Sequence, residues 1–227
     1  MFLIDMFNKK MTMPSAETAL PGRPRPIETA DLHVISARSL LAMPPAGFAT
    51  IYLGLGNFWA AERLFWNLPG IWVTAVGFQG GFTPNPTFQE VMTGLTGHAC
   101  VVKIVYDRSS LPLHSILKLF FEAHDPTQGM RQGNDIGTMF RSVIFGADQQ
   151  SVDLAIRMRD LYQSALLAAG RRQTVTTTIT IAPEFYHAEE YHQQYLARNV
   201  GASAVLRGTG VPCPVLDDAD LHWAIST

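Results

Sequence analysis

The chain has 227 residues, of which 47% are hydrophobic and 16% charged, and a formal net charge of −2. This is the composition of a globular protein long enough to bury a sizeable core, which excludes disordered and fibrous classes. The charge gives no support for a nucleic-acid partner, and no apolar run is long enough to span a bilayer.

Met1-Phe2-Leu3-Ile4-Asp5 is too short, and meets an acid too early, to be a signal peptide. Two cysteines far apart, Cys100 and Cys213, exclude a disulfide framework and a zinc site built on thiolate pairs. No metal and no cofactor is expected, no membrane partner either, and the cytoplasm is the default location.

Residues 1–47 read as an N-terminal extension wrapping the domain, because Pro21-Gly22-Arg23-Pro24-Arg25-Pro26 sustains neither helix nor central strand and Pro44-Pro45 closes the segment. The domain itself is expected over 48–198, and an irregular tail over 199–227. Thr50 to Leu53 begins the core as a strand. Phe58, Ala61, Phe65 and Leu68, spaced three and four apart, predict a helix over 58–68 that Pro69-Gly70 stops. Ile71–Phe78 reads as a buried strand, Gln79–Pro86 as a glycine- and proline-marked loop, and Phe88–Met92 as one helical turn.

Cys100–Tyr106 is β-branched with period two, so it is a strand. Leu113–His124 is an amphipathic helix, Gly129–Gly137 a polar loop, Phe140–Phe145 a strand and Gln149–Ala168 a long helix. Thr174–Ile181 alternates as a strand, and His187–Arg198 reads as a last helix. This order favours an α+β fold: a two-layer sandwich of a mixed, mostly antiparallel sheet with helices packed on it.

Gly54-Leu55-Gly56-Asn57-Phe58-Trp59 leaves an apolar run and enters a helix, and this pattern suggests a pocket floor. A side chain at position 57 sits at a helix N-terminus, where free N–H groups and the dipole face outward. The run Gly56-Asn57-Phe58-Trp59-Ala60-Ala61-Glu62 resembles the glycine-cysteine-phenylalanine-tryptophan signature of peptide methionine sulfoxide reductase A. Gly77-Phe78-Gln79-Gly80-Gly81, Pro84-Asn85-Pro86, Thr96-Gly97-His98-Ala99, His124-Asp125-Pro126, Gly129–Asp135, Arg141-Ser142, Ala188-Glu189 and Tyr191-His192-Gln193 fit the same family. The resemblance covers about residues 16–214, and it implies the ferredoxin-like sandwich of that family.

For function, the resemblance places the nucleophilic cysteine at Asn57, the proton-donating glutamate at Cys100 and the two oxygen-binding tyrosines at Phe88 and Phe140. Only Asp135 matches the polar group. The recycling cysteines would fall at Ala204 and Pro212, with Cys213 one place beyond. Four replacements in one pocket imply that the thiolate attack of the family is lost.

The expectation is therefore a repurposed, non-redox enzyme such as an isomerase, cyclase or lyase acting on a small apolar or aromatic metabolite, with specialised biosynthesis as its setting. The alternatives are a non-catalytic pseudoenzyme binding methionine-like ligands or peptides, and a thiol enzyme using Cys100. Candidate catalytic residues are Asn57, Asp135, His187 and Cys100; candidate pocket residues are Phe58, Trp59, Phe88, Phe140 and His98. Plain readings compete with each: Asn57 as a helix cap, Cys100 as an inert buried thiol, His98 and His192 as structural. Glu62 and Glu189 are expected to make structural hydrogen bonds. The partner is a small-molecule ligand, and the sequence leaves the oligomeric state open.

Overall fold

The structure, a computed structural model, describes residues 10–216. Met1–Asp5 and residues 217–227 of the expected tail lie outside the described residues. The strands are β1 (Phe48–Leu55), β2 (Ile71–Gln79), β3 (Ala99–Asp107), β4 (Arg131–Gln132), β5 (Asp135–Ile136), β6 (Ser142–Gly146), β7 (Thr178–Ile181) and β8 (Phe185–His187). The helices are α1 (Phe58–Phe65), α2 (Phe88–Met92), α3 (Leu113–Ala123), α4 (Gln149–Ala168) and α5 (Tyr195–Arg198).

Six strands form one sheet in the order β7-β6-β1-β3-β2-β8, and β4 pairs with β5 as a separate hairpin. Every pairing in the large sheet is antiparallel except β6 with β7. A parallel pair needs a crossover, and the twenty residues of α4 supply it. The result is the mixed, mostly antiparallel α+β sandwich that the order of elements favours.

Period two sorts the sheet into two faces. On the helix side, Ile51, Leu53 and Leu55 of β1 join Val102, Ile104 and Ile144, with Leu53 opposite both Val102 and Ile144. Phe65 of α1, Ile116, Leu117, Phe120 and Phe121 of α3, and Met158, Tyr162 and Leu166 of α4 close over them. Each such side chain stabilises the fold by about 1.5–3 kcal/mol relative to exposure. On the opposite face Val73, Ala75 and Val105 pack beneath Ala30 and Leu40, which come from the irregular N-terminal segment.

Several boundaries differ from those read in the sequence. Helix α1 ends at Phe65, with Trp66 as its C-cap. The strand expected from Phe140 begins at Ser142, because Thr138–Phe140 is a 3-10 turn. Residues 174–177 leave the ladder of β7: the Thr176 N–H donates to the Pro126 carbonyl and the Val175 N–H to Gln163 Oε1.

The largest correction concerns His187–Arg198, which is β8, a 3-10 turn at Glu190–His192 and the short α5. Buried polar contacts override the helical pattern there. Gln193 donates from Nε2 to the Val76 and Ala188 carbonyls and accepts the Val76 N–H, and Gln194 takes a left-handed backbone, φ 47°, to reach Glu62. An unmade buried hydrogen bond costs about 1–3 kcal/mol, more than helix propensity returns per residue.

Candidate functional site: an aromatic cleft at a helix N-terminus

The turn from β1 into α1 needs Gly56, whose φ is +91° and whose missing Cβ would meet Gln132 Cβ at 2.6 Å. Asn57 then caps the helix: its Oδ1 accepts the N–H groups of Trp59 at 3.0 Å and Ala60 at 3.2 Å. With the oxygen committed to the cap, the carboxamide nitrogen remains as a donor. Asn57 is half-buried, so that donor sits at a surface a ligand can reach.

Beside it lies a floor of rings. Phe58 stacks on Phe88 with centroids 5.9 Å apart, Trp59 stacks on Tyr195 at 4.2 Å, and His192 lies 4.3 Å from Phe88. Phe140, Met92 and Met139 belong to the same apolar cluster. Trp59 is fixed from its other end, because its Nε1–H donates to His192 Nδ1 at 3.1 Å. His192 is therefore the Nε2–H tautomer, and burial pushes its pKa down to about 4, so it is neutral near pH 7.

His192 Nε2 lies 3.9 Å from Glu189 Oε2, beyond hydrogen-bond reach, and with a neutral ring the contact is not an ion pair. Neither atom has a hydrogen-bond partner among the described residues. Glu189 Oε1 holds the Phe88 N–H at 2.9 Å and so fixes one wall of the cleft.

Under this floor is Cys100, 1% exposed and packed with Phe58, Val76 and Phe78. Burial pushes its thiol far above the ordinary range; the nearby Arg141 charge counters this, and the charges of Asp135 and Glu189 add to it. Asp135, half-buried on β5, has its carboxyl pKa raised by burial. Arg141 is itself buried, donates to the Thr138 carbonyl at 2.8 Å and to the Gly80 carbonyl, and has its pKa lowered to about 10 by burial.

Asn57, Phe58, Trp59, Phe88, Phe140 and Cys100 are thus brought together, with Asp135 close enough to act on Cys100. Two candidates are not part of this cluster. His98 is buried, accepts the Gly81 N–H at Nδ1 and bonds the Thr83 carbonyl through Nε2, which fastens the glycine loop. His187 is on β8 rather than at a helix start, against Phe185, and its pKa is lowered to about 4 by burial. Arg141, His192, Glu189 and Tyr195 are the contributors that residue-type reasoning leaves out of the site. Glu62, a buried residue of α1, accepts from Thr74, the Gln194 side chain and the Gln194 N–H; burial raises its pKa to about 7. Among the described residues no cluster of His, Cys, Asp or Glu could hold a metal ion, and no helix is long and apolar enough to cross a membrane.

Fold and cleft together define an α+β protein with a small apolar site at a capped helix terminus. The chain belongs to the peptide methionine sulfoxide reductase family, whose model matches residues 49–208. It is 54% identical to the peptide methionine sulfoxide reductase MsrA of Agrobacterium fabrum over 95% of this chain and 100% of that one. The MsrA 1 of Rhizobium meliloti is also 54% identical, over 95% of this chain and 99% of its own length. Among solved structures, methionine sulfoxide reductase A of Corynebacterium diphtheriae is similar with TM-score 0.80 and 39% identity, covering 91% of this chain and 100% of that one. Reduced Mxr1 of Saccharomyces cerevisiae is similar with TM-score 0.65 and 28% identity, covering 72% of this chain and 92% of that one.

These similarities overturn the functional expectation drawn from the four pocket replacements. A repurposed isomerase, cyclase or lyase on a small metabolite, with a biosynthetic role and a small-molecule partner, has no support beside 54% identity over 95% of the chain to proteins named as reductases. The same finding removes the pseudoenzyme alternative. The Cys100 alternative fails on geometry as well, since a thiol under the floor with a raised pKa yields little thiolate.

Proposed function

We propose that the protein reduces methionine sulfoxide in polypeptides, the substrate class in the names of its relatives. The observation that carries this reading is the capped Asn57 beside the ring floor. A methyl sulfoxide joins an apolar methyl group to a strongly accepting oxygen. Phe58, Trp59 and Phe88 suit the methyl, and the Asn57 carboxamide nitrogen suits the oxygen.

With Asn57 where the resemblance places the thiol, the electrons come from a low-molecular-weight thiol in solution. One thiolate attacks the sulfoxide sulfur while the oxygen, hydrogen-bonded by Asn57, takes up two protons and leaves as water. A second thiol attacks the first sulfur, releasing the thioether and a disulfide. Asp135, its carboxyl pKa raised by burial, is the candidate proton donor. The two free, buried cysteines suit a reducing compartment, and a cytoplasmic setting goes with this reading.

The test is N-acetyl methionine sulfoxide with dithiothreitol, the product followed by loss of one oxygen in the mass spectrum. Turnover above the buffer blank, lowered in Asp135→Asn and raised in Asn57→Cys, is expected. Turnover no faster than the blank refutes the proposal.

A further inference from the structure

A second cleft, of about 610 Å³, runs between residues 26–29 and residues 184–187. One wall is β8 with Glu184 before it, and the other is irregular chain. Four consecutive residues line it on each side, and since neighbouring side chains of a strand point to opposite faces, the cleft follows the edge of β8 rather than one face. β8 ends the six-stranded sheet and pairs with β2 on one side only. The Ala188 N–H donates to the Val76 carbonyl of β2, so by alternation the backbone groups of Phe185 and His187 face the cleft.

The lining is both apolar and acidic. Ile27, Leu41 and Phe185 contribute the apolar part; Glu28, Glu184 and Glu190 contribute carboxylates. No Lys or Arg lines the cleft, and His187 is neutral near pH 7 because burial lowers its pKa to about 4. Two contacts temper the acids: the Tyr186 hydroxyl donates to Glu184, and Arg198 lies 3.5 Å from Glu190.

We propose that this cleft docks an extended, basic polypeptide segment that adds to β8 as a further strand. Backbone pairing along an open edge supplies affinity, and pockets for alternate side chains supply preference. A Lys or Arg every second residue meets the carboxylates, while the intervening apolar residues meet Ile27, Leu41 and Phe185. The site lies apart from the Asn57 cleft and does not depend on the reaction there.

Fluorescence anisotropy of the full chain with labelled eight-residue peptides lacking methionine tests this. An alternating Lys-Val peptide is expected to bind at least about 10-fold more tightly than its Glu-Val counterpart, and to weaken as salt is added. The triple variant Glu28→Gln, Glu184→Gln, Glu190→Gln is expected to lose at least about 10-fold of that affinity, with unchanged far-UV circular dichroism and unchanged reduction of N-acetyl methionine sulfoxide. N-methylation of alternate backbone amides in the peptide is expected to cost at least as much. Equal binding of the two peptides, no binding of either, an unaffected triple variant or an unaffected N-methylated peptide each overturns the proposal.

Discussion

Asn57→Cys tests the physical character of the cleft most directly. The substitution keeps Cβ and places sulfur where the carboxamide carbon stands, facing the Trp59 and Ala60 N–H groups that now hold Oδ1 at 3.0 and 3.2 Å. Helix N-termini stabilise an anion by about 0.3–1 kcal/mol when exposed and up to about 2 kcal/mol when partly buried. One pKa unit is about 1.4 kcal/mol, so the thiol is expected to titrate near 7.5, about one unit below a free cysteine. The ring floor opposes this by desolvating the anion, which keeps the shift to about one unit. Loss of the Asn57 cap costs about 1 kcal/mol, or about 2–4 °C in Tm for a domain of this size. The assay is the rate of iodoacetamide labelling against pH. Its background is low because burial raises the Cys100 thiol far above the ordinary range and the Cys213 thiol to about 12. A labelling midpoint at or above about 8.5 refutes the anion-stabilising helix terminus.

Three further outcomes follow from particular contacts. Burial lowers the His124 pKa from 6.5 to about 4, so its contribution is fully present above pH 6.5 and lost as pH falls through 4. His124→Gln should therefore remove on the order of 3 kcal/mol of the stability lost between those pH values, measured by urea unfolding against the parent chain. That comparison with the parent matters because Glu62, with its pKa raised to about 7, slopes the other way: its cost to folding grows as pH rises from about 4.5 to 7. Cys100→Ala should leave reduction of N-acetyl methionine sulfoxide unchanged and cost about 1 kcal/mol of stability; abolished turnover would restore a catalytic thiol there. Gln193→Ala should destabilise by about 3 kcal/mol, since it strips the Val76 N–H of its buried acceptor; a change below about 1 kcal/mol in urea unfolding would contradict that.

Periodicity made the sheet and the long helices legible. The β-branched run at Ala99–Asp107 and the caps and spacing of Gln149–Ala168 are local signals, and the structure obeys them. What local signals could not carry was the segment after Ile181. Its conformation is set by Glu62 and Val76, residues remote in sequence whose buried hydrogen bonds decide where helix and strand stop. The candidate site was legible where it is made of one turn, at Asn57-Phe58-Trp59, at the helical turn begun by Phe88 and on the strand at Cys100. It was not legible at His192 and Tyr195, because only the tertiary fold brings those rings onto Trp59. The inference from four replaced residues to a new chemistry went wrong for a different reason: it weighed side chains in one pocket against a whole-chain similarity.

The grip of Gln194 on Glu62 spans 132 residues. A chain leaving the ribosome presents Glu62 long before its partner exists. Until Gln194 arrives, that carboxylate has no backbone N–H to hold it, and the first helix cannot settle against β2 at full strength. The same late segment brings His192 and Tyr195 to Trp59. Completion of the cleft is therefore coupled to completion of synthesis, and a nascent chain cut short before residue 194 would carry the turn of the site without its far wall.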